Sequence, residues 1–347
     1  MSKQLTMRAD DLVVETINAL LGQHCTPERI AAAEGSMDEA LWLLLEESGL
    51  AAVGASEEAG GSGGSLHDYA AIVVAVGEHA APVPLGDTLL ASHLCAAAEL
   101  ALPAGPMALA ISRPGRDVIR VPWGGAATNI LVITDAGTYA CPADALDVVA
   151  RGDNYPGEPW IDVTLASASA ASPSTVRARC TPRIALFSAA LMRALLMAGA
   201  LQRAVDLSVR YATEREQFGK PIGKFQALQH YLAEMAGEAA AARAACDTAI
   251  DIIAADGTLD DCERTAAAAK AYAGRAVATV TRLSHQIHGA IGYTDEHRLQ
   301  YSTRRLWAWR DEFGSESEWA ALLGRAVAAE GGAALWPTVT RWPGVSG

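Results

Sequence analysis

The sequence has no CxxC pair and none of the Cys/His spacings that hold a metal. Its six cysteines, Cys25, Cys95, Cys141, Cys180, Cys246 and Cys262, are scattered. With no export signal ahead of them they are expected to be reduced and structural, and no metal chemistry is expected. Positive charge is scarce too: 27 Lys and Arg stand against 40 Asp and Glu, a formal net charge of −13. Without clustered basic side chains, nucleic acid is excluded as the main partner, although a few local arginines suffice for a small polyanion. The opening MSKQLTMRADD lacks an apolar core of signal-peptide length, and no run of about 18 or more apolar residues suggests a membrane span. A cytoplasmic location is therefore expected.

What is present is alanine, leucine and helical periodicity. A chain of 347 residues can bury a substantial core and divide into two or three domains. Residues 9–100 read as helices with short breaks. MDEALWLLLEESGL, for example, places Leu41, Leu44, Leu45 and Ser48 on one face and ends at a Gly. The glycine-rich EEAGGSGGSLHDYA that follows reads as a loop permitting close backbone approach, or as a plain surface turn. From Pro103 to about Arg177, Pro and Gly punctuate β-branched runs, DVIRVPW, NILVIT and WIDVTLA, which read as short strands. Helix returns at Arg183: Phe187, Leu191, Leu195, Ala198, Leu201, Val205, Ser208 and Ala212 step by three or four. The first half of that helix is apolar all round, as expected for a bundle centre. Further helices are predicted over about 225–254, 259–290 and 316–330, completing a four-helix arrangement. The fold class is thus mostly α with a small β domain, divided as 1–102, 103–178 and 179–347.

Between two of these helices lies REQFGKPIGKFQ, residues 215–226. Phe218-Gly219 is expected to close the first helix and Pro221 to prevent its continuation, leaving Arg215 in the last turn and Gln226 at the start of the next helix. An Arg there complements the helix dipole. It also offers a bidentate donor to a pyrophosphate, beside an apolar ring and an amide. The pattern R-x-x-F-G-x-x-I-x-x-F-Q, followed by Leu232 to Met235 (LAEM), resembles the acyl-CoA dehydrogenase family. LWLLLEESGLAAVGASEEAGGSGGSLHDYAAIVVAVGEHAAPVPL resembles that family's helical domain, and QIHGAIGYTDEHRLQYSTRRLWAWRDEFGSESEW its last two helices. The resemblance implies a helix–β–helix subunit, FAD bound at a subunit interface, and α,β-dehydrogenation of an acyl-CoA thioester. It implies that Arg215, Phe218 and Gln226 reach across a dimer interface to a neighbour's FAD. It further implies that Gln286 and Gly289, in a Q-x-x-G-G-x-G-Y-like segment, contact the adenosine and pyrophosphate end. Ala290 replaces the second Gly of that segment.

The same resemblance exposes a gap. Thioester dehydrogenation needs a desolvated Glu to remove the α-proton. The family places it in a Y-E-G-T-S-E segment or near the start of the long helix; here those positions hold Gly314 and Ala189, and neither accepts a proton. Glu312 and Glu316 are the nearby fallbacks. The family's T-E-P-x-x-G-S-D loop and W-I-T strand, which hold the flavin ring in their own subunit, are absent between Pro103 and Arg177. The chain therefore resembles the shorter, base-less subunits of α2β2 acyl-CoA dehydrogenases that actinobacteria use on steroid side chains, which implies a homologous catalytic partner. A self-sufficient enzyme using Glu312 or Glu316, a non-catalytic scaffold subunit and a flavin-dependent oxygenase are the alternatives. His285 and His288 read as structural or as mild cofactor contacts. Trp307 and Trp309 read as an apolar helix face or as a bulky-substrate wall, and Arg304, Arg305 and Arg310 as solvating an exposed face rather than meeting CoA phosphates.

Overall fold

The computed structural model describes residues 9–56, 58, 60–170, 180–294 and 296–336; the opening MSKQLTMR, the end of the predicted β domain and the last residues lie outside them. The chain divides into two compact units, Met1–Met192 and Arg193–Gly347.

In the first unit, α1 (Asp11–His24), α2 (Pro27–Ala32), α3 (Glu39–Glu47), α4 (Leu66–His79) and α5 (Leu85–Ala97) precede the strands. Short polar caps set their starts: Asp10, Thr26 and Asp38 each accept a backbone N–H of the following turn. Ser65 and Asp68 form a capping box on α4, and Asp68 also accepts the Asp10 amide (2.6 Å), tying α4 to the start of α1. The glycine-rich loop folds back on itself, with Gly54 donating to the Gly63 carbonyl (2.6 Å) and Gly63 to that of Ala55 (2.9 Å).

The strands are β1 (Met107–Ile111), β2 (Val118–Pro122), β3 (Asn129–Thr134), β4 (Gly137–Pro142), β5 (Val148–Asp153) and β6 (Pro159–Thr164), followed by the short α6 (Leu165–Ala170). They form two three-stranded sheets, ordered β1-β3-β4 and β2-β6-β5, with β1 parallel to β3 and the other pairs antiparallel. Ala108, Ala110, Ile130 and Val132 of one sheet share a core with Ile119, Val121, Ile161 and Val163 of the other. The opposite face of β1 is buried as well, because α5 packs on it and the Thr88 hydroxyl hydrogen-bonds both the amide (2.9 Å) and the carbonyl (3.3 Å) of Met107. That attachment joins helices and strands in one unit where composition divides them into two.

α7 (Pro182–Glu214) is the long helix expected from the 3.6-residue pattern, and every residue from 189 to 201 is buried. By length and composition it would cross a membrane, contrary to the reading of the bare sequence. Yet 83% of its most apolar window is buried, as in the core helix of a folded domain. The second unit continues through α8 (Gln226–Ala254), α9 (Leu259–His288), α10 (Leu299–Asp311) and α11 (Glu316–Glu330), with α9 packed against each of the other three. All six cysteines are buried free thiols, and burial pushes those of Cys95 and Cys246 up to about 12.

Candidate functional site

The segment REQFGKPIGKFQ is not a helix closure followed by a turn. α7 stops at Glu214, and Arg215 opens a hairpin of β7 (Glu216–Gln217) and β8 (Lys220–Pro221), paired Glu216↔Pro221 and Gln217↔Lys220. Phe218 (φ 53°) and Gly219 (φ 77°) are both left-handed, as the two-residue turn matching strand twist requires. A bulky residue in that conformation costs about 1–2 kcal/mol. Phe218 nevertheless occupies it, is 92% exposed, and meets Phe225 edge-on at 6.1 Å. The Arg215 amide donates to the Tyr211 carbonyl (2.8 Å) and the Ile222 amide to the Arg215 carbonyl (2.8 Å), fastening both ends of the hairpin to the helix end. Gln226 is the first residue of α8, as expected, and is exposed.

Gln286 lies in the last turn of α9 on its exposed side, and Gly289 is the C-cap. The φ of +64° and ψ of −143° at Gly289 belong to glycine alone, and a Cβ there would meet nothing within 4 Å, so the backbone is open to an approaching group. Ala290, exposed in a 3-10 turn spanning Gly289–Tyr293, adds only a methyl beside that opening. Two ring stacks connect this segment to its surroundings. His288 lies against Tyr211 at 4.6 Å and 25°, one turn before Arg215, and so joins the Gln286–Gly289 segment to the base of the hairpin. His285 stacks on Tyr293 at 4.2 Å and meets the Thr303 hydroxyl at 3.1 Å.

The expected base positions are filled by other chemistry. Ala189 is wholly buried within α7. Gly314 has φ +104°, and a Cβ there would lie 2.6 Å from the Trp319 indole nitrogen, which itself donates to the Phe313 carbonyl (3.1 Å). Glu312 accepts a 2.6 Å bond from Arg193, a guanidinium with no exposed surface that also lies 5.1 Å over the Phe313 ring. Glu316 accepts two bonds from Arg310, of 3.0 and 2.6 Å. Arg310 therefore does not solvate a free face. Arg305 does not either: it is buried and donates to the Tyr301 carbonyl (3.2 Å). Beneath the joint, Lys270 is fully buried and donates to the carbonyls of Trp309 (3.0 Å), Arg310 (2.6 Å) and Gly314 (2.9 Å). Burial pushes its ammonium down to about 7, with the Glu312 carboxylate opposing. Arg193 and Lys270 escape a reading for catalytic groups; their signal is a single cation inside an apolar run, in LMRALLM and AAAKAYA.

The acyl-CoA dehydrogenase N-terminal domain profile matches residues 8–102 and the C-terminal domain profile residues 185–315. The chain belongs to the acyl-CoA dehydrogenase family. The acyl-CoA dehydrogenase IpdE2 of Mycobacterium tuberculosis is 33% identical over 304 residues, covering 84% of this chain and 88% of that protein. IpdE2 of Mycolicibacterium smegmatis is 32% identical over 304 residues, covering 85% and 91%. Among solved structures, a variant of the Tcur3481-Tcur3483 steroid ACAD superposes with TM-score 0.77 at 25% identity, covering 92% of this chain and 97% of that one. A chain of the ChsE4-ChsE5 complex from Mycobacterium tuberculosis gives 0.78 at 21% identity, covering 94% and 98%, a likeness of fold.

The cofactor of this acyl-CoA dehydrogenase is FAD, and the candidate residues fit it in a particular way. Arg215, Phe218, Gln226, Gln286 and Gly289 are all exposed. Among the described residues, the side chains of Arg215, Gln226 and Gln286 make no hydrogen bond within the chain. A guanidinium, two amides, an aromatic face and an open backbone are thus exposed, the donors and apolar surface that a dinucleotide would need.

Proposed function

We propose that this acyl-CoA dehydrogenase is one subunit of a heteromeric, cytoplasmic enzyme acting on a steroid-derived acyl-CoA, and that it lends the adenosine half of the FAD site to a catalytic partner. The observation that carries this reading is the joint between α10 and α11. Where the family keeps its base, Gly314 is pressed against Trp319, Glu312 is committed to Arg193 and Glu316 to Arg310. A carboxylate held by a guanidinium is not free to take a proton from carbon. Both carboxylates that the self-sufficient alternative relies on are thus already paired. The names of the relatives support the substrate class and the assembly: one solved relative is a steroid ACAD and another belongs to a two-protein complex.

FAD, when bound, supplies hydride acceptance at the β-carbon. The tasks left to this chain are binding and orientation. Arg215 would pair with the pyrophosphate, Phe218 and the open Gly289 backbone would cover the nucleotide, and Gln226 and Gln286 would meet its polar edges. The proton is taken by the partner's carboxylate.

The test is co-purification with the proteins encoded beside it. The chain alone is expected to carry little flavin absorbance and no dehydrogenase activity, and both are expected to appear with the partner. Arg215→Ala in the complex is expected to leave assembly intact and lower FAD per complex about tenfold or more, the scale of a lost charge-assisted pair. A yellow, active homodimer of this chain would refute the proposal.

A further inference from the structure

The ring cluster around His288 is not explained by packing alone. His288 is 3% exposed and stacks on Tyr211, whose carbonyl holds the Arg215 amide; its other neighbour is His297, at 4.5 Å and 60°. Its Nδ1 donates to the Ser284 carbonyl (2.7 Å), which assigns the proton to that nitrogen and leaves Nε2 bare. Nε2 is buried and makes no well-formed hydrogen bond, although the Leu207 carbonyl lies close enough to favour a proton there. The groups bearing on the ring are Tyr211 and the Leu207 carbonyl from α7, His297 ahead of α10, and His285 and Ser284 on its own helix. None is a carboxylate. A second proton would therefore create a buried cation with no counter-charge, 4.5 Å from another imidazole. The attraction of a cation for the Tyr211 face is smaller than that desolvation cost. Burial holds the His288 imidazole below the ordinary histidine range, with the Ser284 and Leu207 carbonyls opposing and His297 adding to the depression.

We propose that His288 is a positioning residue: uncharged, stacked on Tyr211 and braced by the tilted ring of His297, it fixes the Arg215–Phe218 hairpin to the Gln286–Gly289 segment, so that both parts of the nucleotide grip form together. Charging the ring separates them. The proposal rests on the cofactor reading above and adds the element that makes two surface segments one site, together with the pH below which it comes apart.

Two measurements separate the proposal from that reading. In the full chain without cofactor, hydrogen exchange at the Arg215 and Ile222 amides, corrected for intrinsic exchange, reads the hairpin's attachment. Protection is expected to be level above 6.5, the ordinary imidazole value, and to fall by up to about tenfold per pH unit below it. His288→Phe keeps a ring in the stack and cannot be charged, so its protection is expected to stay level. His288→Gln, also uncharged, serves if Phe does not pack. A fall that persists in these variants, or level protection in the native chain, overturns the proposal. In the complex with the partner, FAD retained at each pH is expected to follow the same curve and to level off in the variant. Retention independent of pH while protection falls also overturns the proposal. Unchanged FAD in Arg215→Ala refutes the cofactor reading itself, leaving the exchange result as a statement about the hairpin only.

Discussion

Gly314 is the residue on which the proposed division of labour turns. Its φ of +104° and the Trp319 indole 2.6 Å from where a Cβ would stand mean that the position as folded has room only for glycine. Restoring the family's side chain with Gly314→Glu is therefore expected to leave the chain without dehydrogenase activity by itself. It is also expected to destabilise the chain by about 1–3 kcal/mol, through left-handed strain and overpacking. Denaturant unfolding and a turnover assay on the purified variant check both. A gain of activity in the chain alone would mean that only the carboxylate was missing. Phe218 departs from local preference in the opposite sense. An exposed phenyl ring occupies a turn position that favours Asn or Gly, a strain that makes sense when the ring has a partner to meet.

At the scale of elements, the joint between α10 and α11 is held from below. The last carbonyls of a helix have no intrahelical donor. Lys270 of α9 supplies one to Trp309 and Arg310, and a third bond reaches Gly314 beyond the helix end. The Ser315–Glu318 capping box then starts α11. Lys270→Met keeps the volume and removes the donors, leaving buried carbonyls unsatisfied. It is expected to cost about 3 kcal/mol, since each orphaned acceptor loses more than an average hydrogen bond contributes. A drop in thermal midpoint, with faster exchange at residues 311–316, would register it. The hairpin β7–β8 is the other element on which the proposed function rests. Its two-residue turn is legible in retrospect from Phe-Gly before Lys-Pro, but a Gly-Pro pair after an apolar helix reads equally well as a helix stop, and only the pairing Gln217↔Lys220 distinguishes the two.

For the whole molecule, pH dependence follows from four histidines. Burial, the leading cause in each case, lowers the imidazoles of His93, His285, His288 and His297 from 6.5. The unfolded chain then binds more protons than the folded one between the folded values and 6.5, so stability is complete above 6.5 and is lost as pH falls through that window. Asp38 and Asp68 are lowered from 3.8 and begin to cost stability only in more acid solution. The thermal midpoint is thus expected to decline already as pH falls below 6.5, before Asp38 and Asp68 titrate. A midpoint level down to the carboxylate range would contradict this burial.

Much of the architecture was readable along the chain. Helical spacing, the β-branched runs and the apolar first half of α7 are local patterns, and they recover the helix–β–helix order. The motif around Arg215 and Gln226 also sufficed to point to the family. The base-less reading rested on two positions, Ala189 and Gly314, which the sequence names but cannot explain. Only the tertiary structure shows that both fallbacks are ion-paired: Glu312 lies 119 residues from Arg193, and their pairing depends on packing, not on spacing. It likewise decided that Tyr211 and His288 share one stack and that Lys270 closes a distant helix end. Buried polar groups choose partners by proximity in three dimensions, and no periodicity in the chain encodes that choice.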